Sequence, residues 1–207
     1  MTLSMDVALA VLSLLGTAVF AASGALVAAE KQFDLVGAVF LSVAAGLGGG
    51  TIADLLIGGG VRWLSAPEPL WAALLSAVVV FEAVRFGAPP EKTLVWADAV
   101  GLALFTATGM QRFAGMDLDP SVTIFLVAIT GAGGGIVRDV LANRVPLVFT
   151  GEIYVTASVL GALTYYVVKL AAIGDGWALG AALAVTFLVR AVGIRFSIRL
   201  LPGRLSR

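Results

Sequence analysis

Hydrophobic residues in this chain come in long blocks, without the alternation of a strand or the one-sided stripe of a surface helix. Seven blocks, at about 5–29, 35–59, 68–86, 93–113, 120–143, 153–172 and 177–200, come to the roughly 20 apolar residues that a helix needs to cross a bilayer core. Short polar or Pro/Gly pieces separate them, such as Glu30-Lys31, Arg62 to Pro69 and Gly87 to Lys92. None of these connectors is long enough to divide domains, so residues 1–207 are expected to form a single transmembrane domain. Asp34 and Asp119 stand where N-caps belong, and Pro120 follows at a first helical position.

The blocks are internally related. Sliding the chain by 85 residues aligns 16–57 with 101–142, and 15 of those 42 positions are identical. Chance in so apolar a composition would give ~4, so the chain carries an internal repeat. The first copy covers about 5–86 and the second about 93–172, with 177–200 added. Three spans per copy is an odd number, so the second copy enters the membrane from the opposite side. The predicted fold is therefore all-α, an inverted 3+3 repeat plus a seventh helix.

Each copy has a glycine triplet deep in its second span, Gly48-Gly49-Gly50 and Gly133-Gly134-Gly135, followed four residues later by Asp54 and Asp139. Glycine costs roughly 1 kcal/mol against alanine in a helix, so three in a row predict a break in each span. Length points the same way. A straight helix from Asp34 to Arg62 would run roughly 42 Å, against a hydrocarbon core of about 30 Å. Broken backbone inside a membrane survives only where it is buried in protein or faces a watery cavity. Two breaks related by an inverted two-fold would meet mid-bundle, with freed carbonyls and two carboxylates suited to a partly dehydrated monovalent cation. The plainer alternative is close helix packing through small residues, with Asp54 at the membrane surface.

Other polar positions are weaker signals. Arg138 has Ala53 as its counterpart, so a guanidinium enters one copy only, either to pair with an aspartate or to plug the path. Asp98 faces Ser13 across the repeat and is either pore-facing or close to the first turn of its helix. Ser23 and Thr108 match, although such hydroxyls commonly bond back to their own helix. Glu82 and Arg85 fit an interfacial ion pair, and Arg190, well inside the last span, is expected to snorkel to the nearer face.

Composition narrows the chemistry. The chain is 60% hydrophobic and 13% charged, with a mean hydropathy of +1.04, far too few charges to coat a soluble domain. It holds neither histidine nor cysteine, which removes disulfides, thiolate chemistry, and haem or zinc ligation through those residues. No metal site, cofactor or nucleophile–base pair is expected, and a net charge of zero suggests no nucleic-acid partner. Ala21-Ala22-Ser23 looks like a cleavage region, but Asp6 and the lack of an early Lys or Arg favour a retained span. Arg62, Arg112 and Lys169 fall on the side of the N-terminus; Lys31, Arg85, Lys92, Arg144, Arg195, Arg199, Arg204 and Arg207 fall on the other. The positive-inside rule then predicts an inner-membrane protein with its N-terminus outside and its C-terminus in the cytoplasm.

The paired stretches Gly48-Gly49-Gly50-Thr51-Ile52-Ala53-Asp54 and Gly133-Gly134-Gly135-Ile136-Val137-Arg138-Asp139 resemble the double signature of prokaryotic trimeric intracellular cation (TRIC) channels, a family also labelled a glycine transporter domain. The resemblance extends over essentially the whole chain. It implies a homotrimer in membrane lipid, each protomer conducting K⁺ and Na⁺ through its own pore. That pore would be lined by helices kinked at Gly48 to Gly50 and Gly133 to Gly135, with Asp54, Arg138 and Asp139 beside the path. Ala53 departs from the family pattern, which often has Arg before the Asp in both halves. A secondary transporter of a small zwitterion such as glycine is the alternative, since inverted repeats serve both.

Overall fold

The computed structural model describes residues 2–150 and 153–198; the basic tail beyond Ile198, with Arg199, Arg204 and Arg207, lies outside the described residues. The elements are α1 (Thr2–Glu30), α2 (Leu35–Leu56), a single turn α3 (Arg62–Ser65), α4 (Glu68–Phe86), α5 (Thr93–Phe113), α6 (Pro120–Leu141), a 3-10 turn at Leu147–Phe149, α7 (Val155–Leu170) and α8 (Asp175–Phe196). Six of the seven expected spans are long and apolar enough to cross a membrane. The exception, α7, has 16 residues, or about 24 Å of helix.

Helices α1, α2 and α4 pack together as one unit and α5, α6 and α7 as a second, joined chiefly by α2 against α6 and α1 against α5; α8 packs on α5 and α7. The two units are inverted copies that share their helix-end devices. Asp34 caps α2 by accepting from the Gly37 amide at 2.7 Å, and Asp119 caps α6 through the Ser121 amide at 2.8 Å. Past their last turns, Gly58 and Asn143 occupy the same repeat position, and both take left-handed backbone, φ 69° and 52°. The Gly59 amide then returns to the Asp54 carbonyl, and the Arg144 amide to the Asp139 carbonyl. Glycine and asparagine are the residues that tolerate this conformation at a helix exit.

The expected breaks at the triplets are absent. Both α2 and α6 run as unbroken 22-residue helices through Gly48–Gly50 and Gly133–Gly135. The length argument resolves differently, because α2 stops at Leu56 and so spans about 33 Å without bending. Backbone donors and acceptors thus stay paired in a medium where each orphan would cost several kcal/mol. What the glycines supply is a close crossing. A methyl added at Gly49 would lie 2.2 Å from the Thr130 carbonyl oxygen, and one at Gly134 would lie 2.1 Å from that of Ala45. Ala45 and Thr130 are themselves repeat equivalents, so the two helices cross on the pseudo-two-fold. Packing through small residues, the plainer of the two expectations, accounts for the triplets.

Candidate functional site

The ends of α2 and α6 lie at opposite faces of the bundle, and each carries its aspartate in the last turn. At the face holding the N-terminus, Asp54 is buried, 2% exposed. One of its oxygens accepts the Arg62 backbone amide at 3.0 Å. The other lies 2.6 Å from Nη2 of Arg112, on the last turn of α5, and 3.5 Å from Nε of Arg62. Partial burial and the neighbouring Arg112 lower the pKa of Arg62, while Asp54 pulls it back up. Two guanidiniums on one carboxylate give this three-residue cluster a net charge of about +1.

A vestibule opens beside this cluster. It consists of cavities of about 440 and 270 Å³ that share Ala10, Ser13, Gly50, Arg62 and Phe105. One branch descends between α1 and α2 to Thr17 and Gly46, and the other reaches Thr108 and Thr130. Gly46 is at the middle of α2, so the vestibule extends roughly 15 Å inward from Leu56. A Cβ at Gly50 would meet nothing within 4 Å, which makes this glycine a wall of the cavity. Across the mouth, the Trp63 indole donates to Thr51 Oγ1 at 3.0 Å.

The other end is closed. Arg138 is fully buried and forks onto Asp139, with Nε–Oδ1 at 2.9 Å and Nη2–Oδ2 at 3.1 Å. Its Nη1 donates to Asp98 Oδ1 at 2.9 Å and to Ser23 Oγ at 2.7 Å. The second oxygen of Asp139 also accepts the Leu147 amide at 3.3 Å, as Asp54 accepts that of Arg62 eight residues on. In this contact network two carboxylates share the one guanidinium of Arg138. No water-sized space remains between Gly135, Arg138, Asp139, Leu147 and Tyr154. Gly135, the equivalent of Gly50, faces Asp98 Oδ1 at 3.2 Å and the Tyr154 hydroxyl at 3.4 Å, measured from an added Cβ.

The structure therefore brings Ser23, Asp98, Arg138 and Asp139 into one contact network and puts Asp54 in another. Asp98 is an inward-facing charge, fully buried. Thr108 bonds back to the Leu104 carbonyl at 2.9 Å and lines the vestibule. Gly49, Gly133 and Gly134 face the helix crossing, and Gly48 faces Val137. Glu82 and Arg85 form the expected surface pair.

Arg190 does not snorkel. It is fully buried, donates Nη1 to the Ile153 carbonyl at 3.1 Å and stacks its guanidinium 4.9 Å above the Tyr154 ring. Sequence reasoning also missed Arg112 and Arg62 as the partners of Asp54. A signal existed: Arg112 stands where the first copy has Val27, just as Arg138 stands where it has Ala53. The arginine missing before Asp54 is replaced by one reaching over from α5.

Comparison with known proteins places these features in a family. A family model described as "Glycine transporter" matches residues 10–85 and 95–169. The inner membrane protein YadS of Escherichia coli strain K12 is 35% identical over 197 residues, covering 91% of this chain and 93% of that protein. The membrane protein YvgT of Bacillus subtilis is 36% identical over 198 residues, covering 95% and 96%. Among solved structures, the TRIC trimeric intracellular cation channel orthologue of Rhodobacter sphaeroides is similar at a TM-score of 0.85 and 38% identity, covering 92% of this chain and 99% of that one. A prokaryotic TRIC channel crystallised in 0.5 M KCl gives 0.86 and 32%, covering 94% and 100%.

Proposed function

From the premise that this chain belongs to the TRIC channel family and is not an enzyme, we propose that it is a monovalent cation channel with a pore inside each protomer. The path descends the vestibule past Gly50, follows the seam of α1, α2, α5 and α6, and leaves beside Asp139. One observation carries this reading: beyond the mid-bundle floor of the vestibule, the opposite end holds a buried carboxylate pair, Asp98 and Asp139, ion-paired to the tethered guanidinium of Arg138. That guanidinium occupies the place a permeant ion would take. When Arg138 swings aside, Asp98 and Asp139 present two carboxylates, with Ser23 Oγ next to them, to a K⁺ or Na⁺ that has shed part of its water. Held as it is, Arg138 fills the space and cancels half of the charge.

The channel works as a homotrimer in membrane lipid, in accord with the trimeric assembly named for the Rhodobacter relative. Large apolar side chains on the outside of the bundle, among them Phe40, Trp71, Phe125 and Leu188, suit lipid and protomer contacts. Its N-terminus is outside and its C-terminus cytoplasmic, which makes the vestibule external and the Arg138 end cytoplasmic. Purified protein in a planar bilayer with symmetric KCl should give unitary cation currents. Arg138→Gln should raise open probability, and Asp139→Asn should lower conductance at least several-fold. A chamber open at one end and sealed at the other also suits alternating access, and two guanidiniums in the vestibule suit a carboxylate. Silent bilayers together with saturable glycine counterflow in vesicles would put a secondary transporter in the channel's place.

A further inference from the structure

Resting on the channel reading, we propose that Arg190 of α8 is a positioning residue, a latch that keeps the Arg138 end of the path shut by pinning Ile153 and Tyr154. The contacts form a chain. Arg190 donates to the Ile153 carbonyl at 3.1 Å and covers the Tyr154 ring at 4.9 Å. Tyr154 is itself 2% exposed and brings its hydroxyl against Gly135 beside Asp98. Asp98 in turn holds Arg138 at 2.9 Å. One turn past Arg190, Gly193 lets α8 lie against Ile153, its added Cβ falling 3.4 Å from that of Ile153. A fully buried guanidinium is expensive in a membrane helix and is found where it has a specific partner.

The inverted copy shows what happens without the latch. At the same 85-residue offset, Ile153 and Tyr154 correspond to Glu68 and Pro69. Those residues begin α4 and line the 440 Å³ cavity, and among the described residues α8 has no substantial packing against α4. The end where α8 packs on Ile153 and Tyr154 has no room for water, and the end whose Glu68 and Pro69 lack that cover is open. The contact that the helix outside the repeat makes with Ile153 and Tyr154 is thus one difference between two related mouths.

Two experiments test this, one of them independent of conduction. The chain has no cysteine, so introduced ones are clean reporters. In the pair Ile153→Cys with Gly193→Cys, the Cβ separation is short enough for a disulfide. Oxidation of this variant in a bilayer should cut open probability about tenfold or more, with recovery on reduction. Unchanged currents from cross-linked protein would overturn the latch while leaving the channel standing. In a second background, Ala132→Cys lines the sealed gap. Its labelling by a membrane-impermeant thiol reagent from the C-terminal face should be about tenfold faster with Arg190→Gln, and faster also with Arg190→Lys or Tyr154→Leu should Arg190→Gln fail to fold. No acceleration in the folded variants would overturn the proposal. Acceleration with silent bilayers would keep the latch and remove the channel.

Discussion

Asp54 and Asp139 occupy the same position in two copies of one three-helix unit, yet one borders an open vestibule and the other sits in a sealed gap. Both terminate their helix in the same way, accepting an amide eight residues on. The difference lies in where the cation comes from. Asp139 is gripped in two-point geometry by the residue before it, inside the protein. Asp54 is met by arginines from α5 and from the half-exposed α3, at the rim. A backbone device can thus be copied faithfully while the charge around it is rearranged. That rearrangement gives an inverted-repeat protein a direction.

The comparison breaks most severely at the helix crossing. Gly49→Ala and Gly134→Ala would each drive a methyl to within about 2.2 Å of a carbonyl oxygen on the facing helix. Backbone cannot step aside, so loss of well over 3 kcal/mol and of a monodisperse peak in detergent is expected. Gly50→Ala, one position on, meets no atom within 4 Å and should fold normally, with a gain of up to about 1 kcal/mol from helix propensity. Equal behaviour of all three would remove the close crossing as the reason for the triplets.

The aspartates should come next. Asp139→Asn leaves the buried Arg138 with a single carboxylate, and removing one member of such a group costs about 3–5 kcal/mol. Asp54→Asn should lower the melting temperature by a smaller amount, because Arg62 can turn to water. A larger effect at Asp54 would reverse the assignment of which end is the tighter.

Transplanting the missing arginine sharpens the point. Ala53→Arg puts a guanidinium into a fully buried position packed among Met110 and Phe113, and should unfold the protein or halve its yield. Combined with Arg112→Val, which removes the competing cation from Asp54, it should recover part of that loss. An additive double variant, read by thermal unfolding, would mean that Arg112 does not stand in for an arginine at 53. The smallest change belongs to Arg62→Gln. Its side chain is 57% exposed, so only a shift of a degree or two in melting temperature is expected.

Much of the architecture was legible because a bilayer demands it. Long apolar blocks, the aspartate caps and the 85-residue offset lead directly to an inverted bundle, and the caps form at Asp34 and Asp119 as their spacing implies. The triplets misled because propensity is a local quantity. A run of glycines weakens an isolated helix, but inside a membrane the unmade hydrogen bonds of a break cost more than the glycines do, and a facing helix fills the groove they leave. Arg190 misled for a related reason: depth along a helix can be read from spacing, whereas the face a side chain turns to depends on its neighbours.

From the sequence alone came the inverted repeat, the family resemblance and the short set of charges that matter, since hydropathy, spacing and charge are written residue by residue. Which charge meets which carboxylate, that α2 and α6 cross instead of breaking, and that only one mouth is sealed were decided by the tertiary structure. Those outcomes depend on distances between segments tens of residues apart, where a few ångströms separate an ion pair from an open cavity.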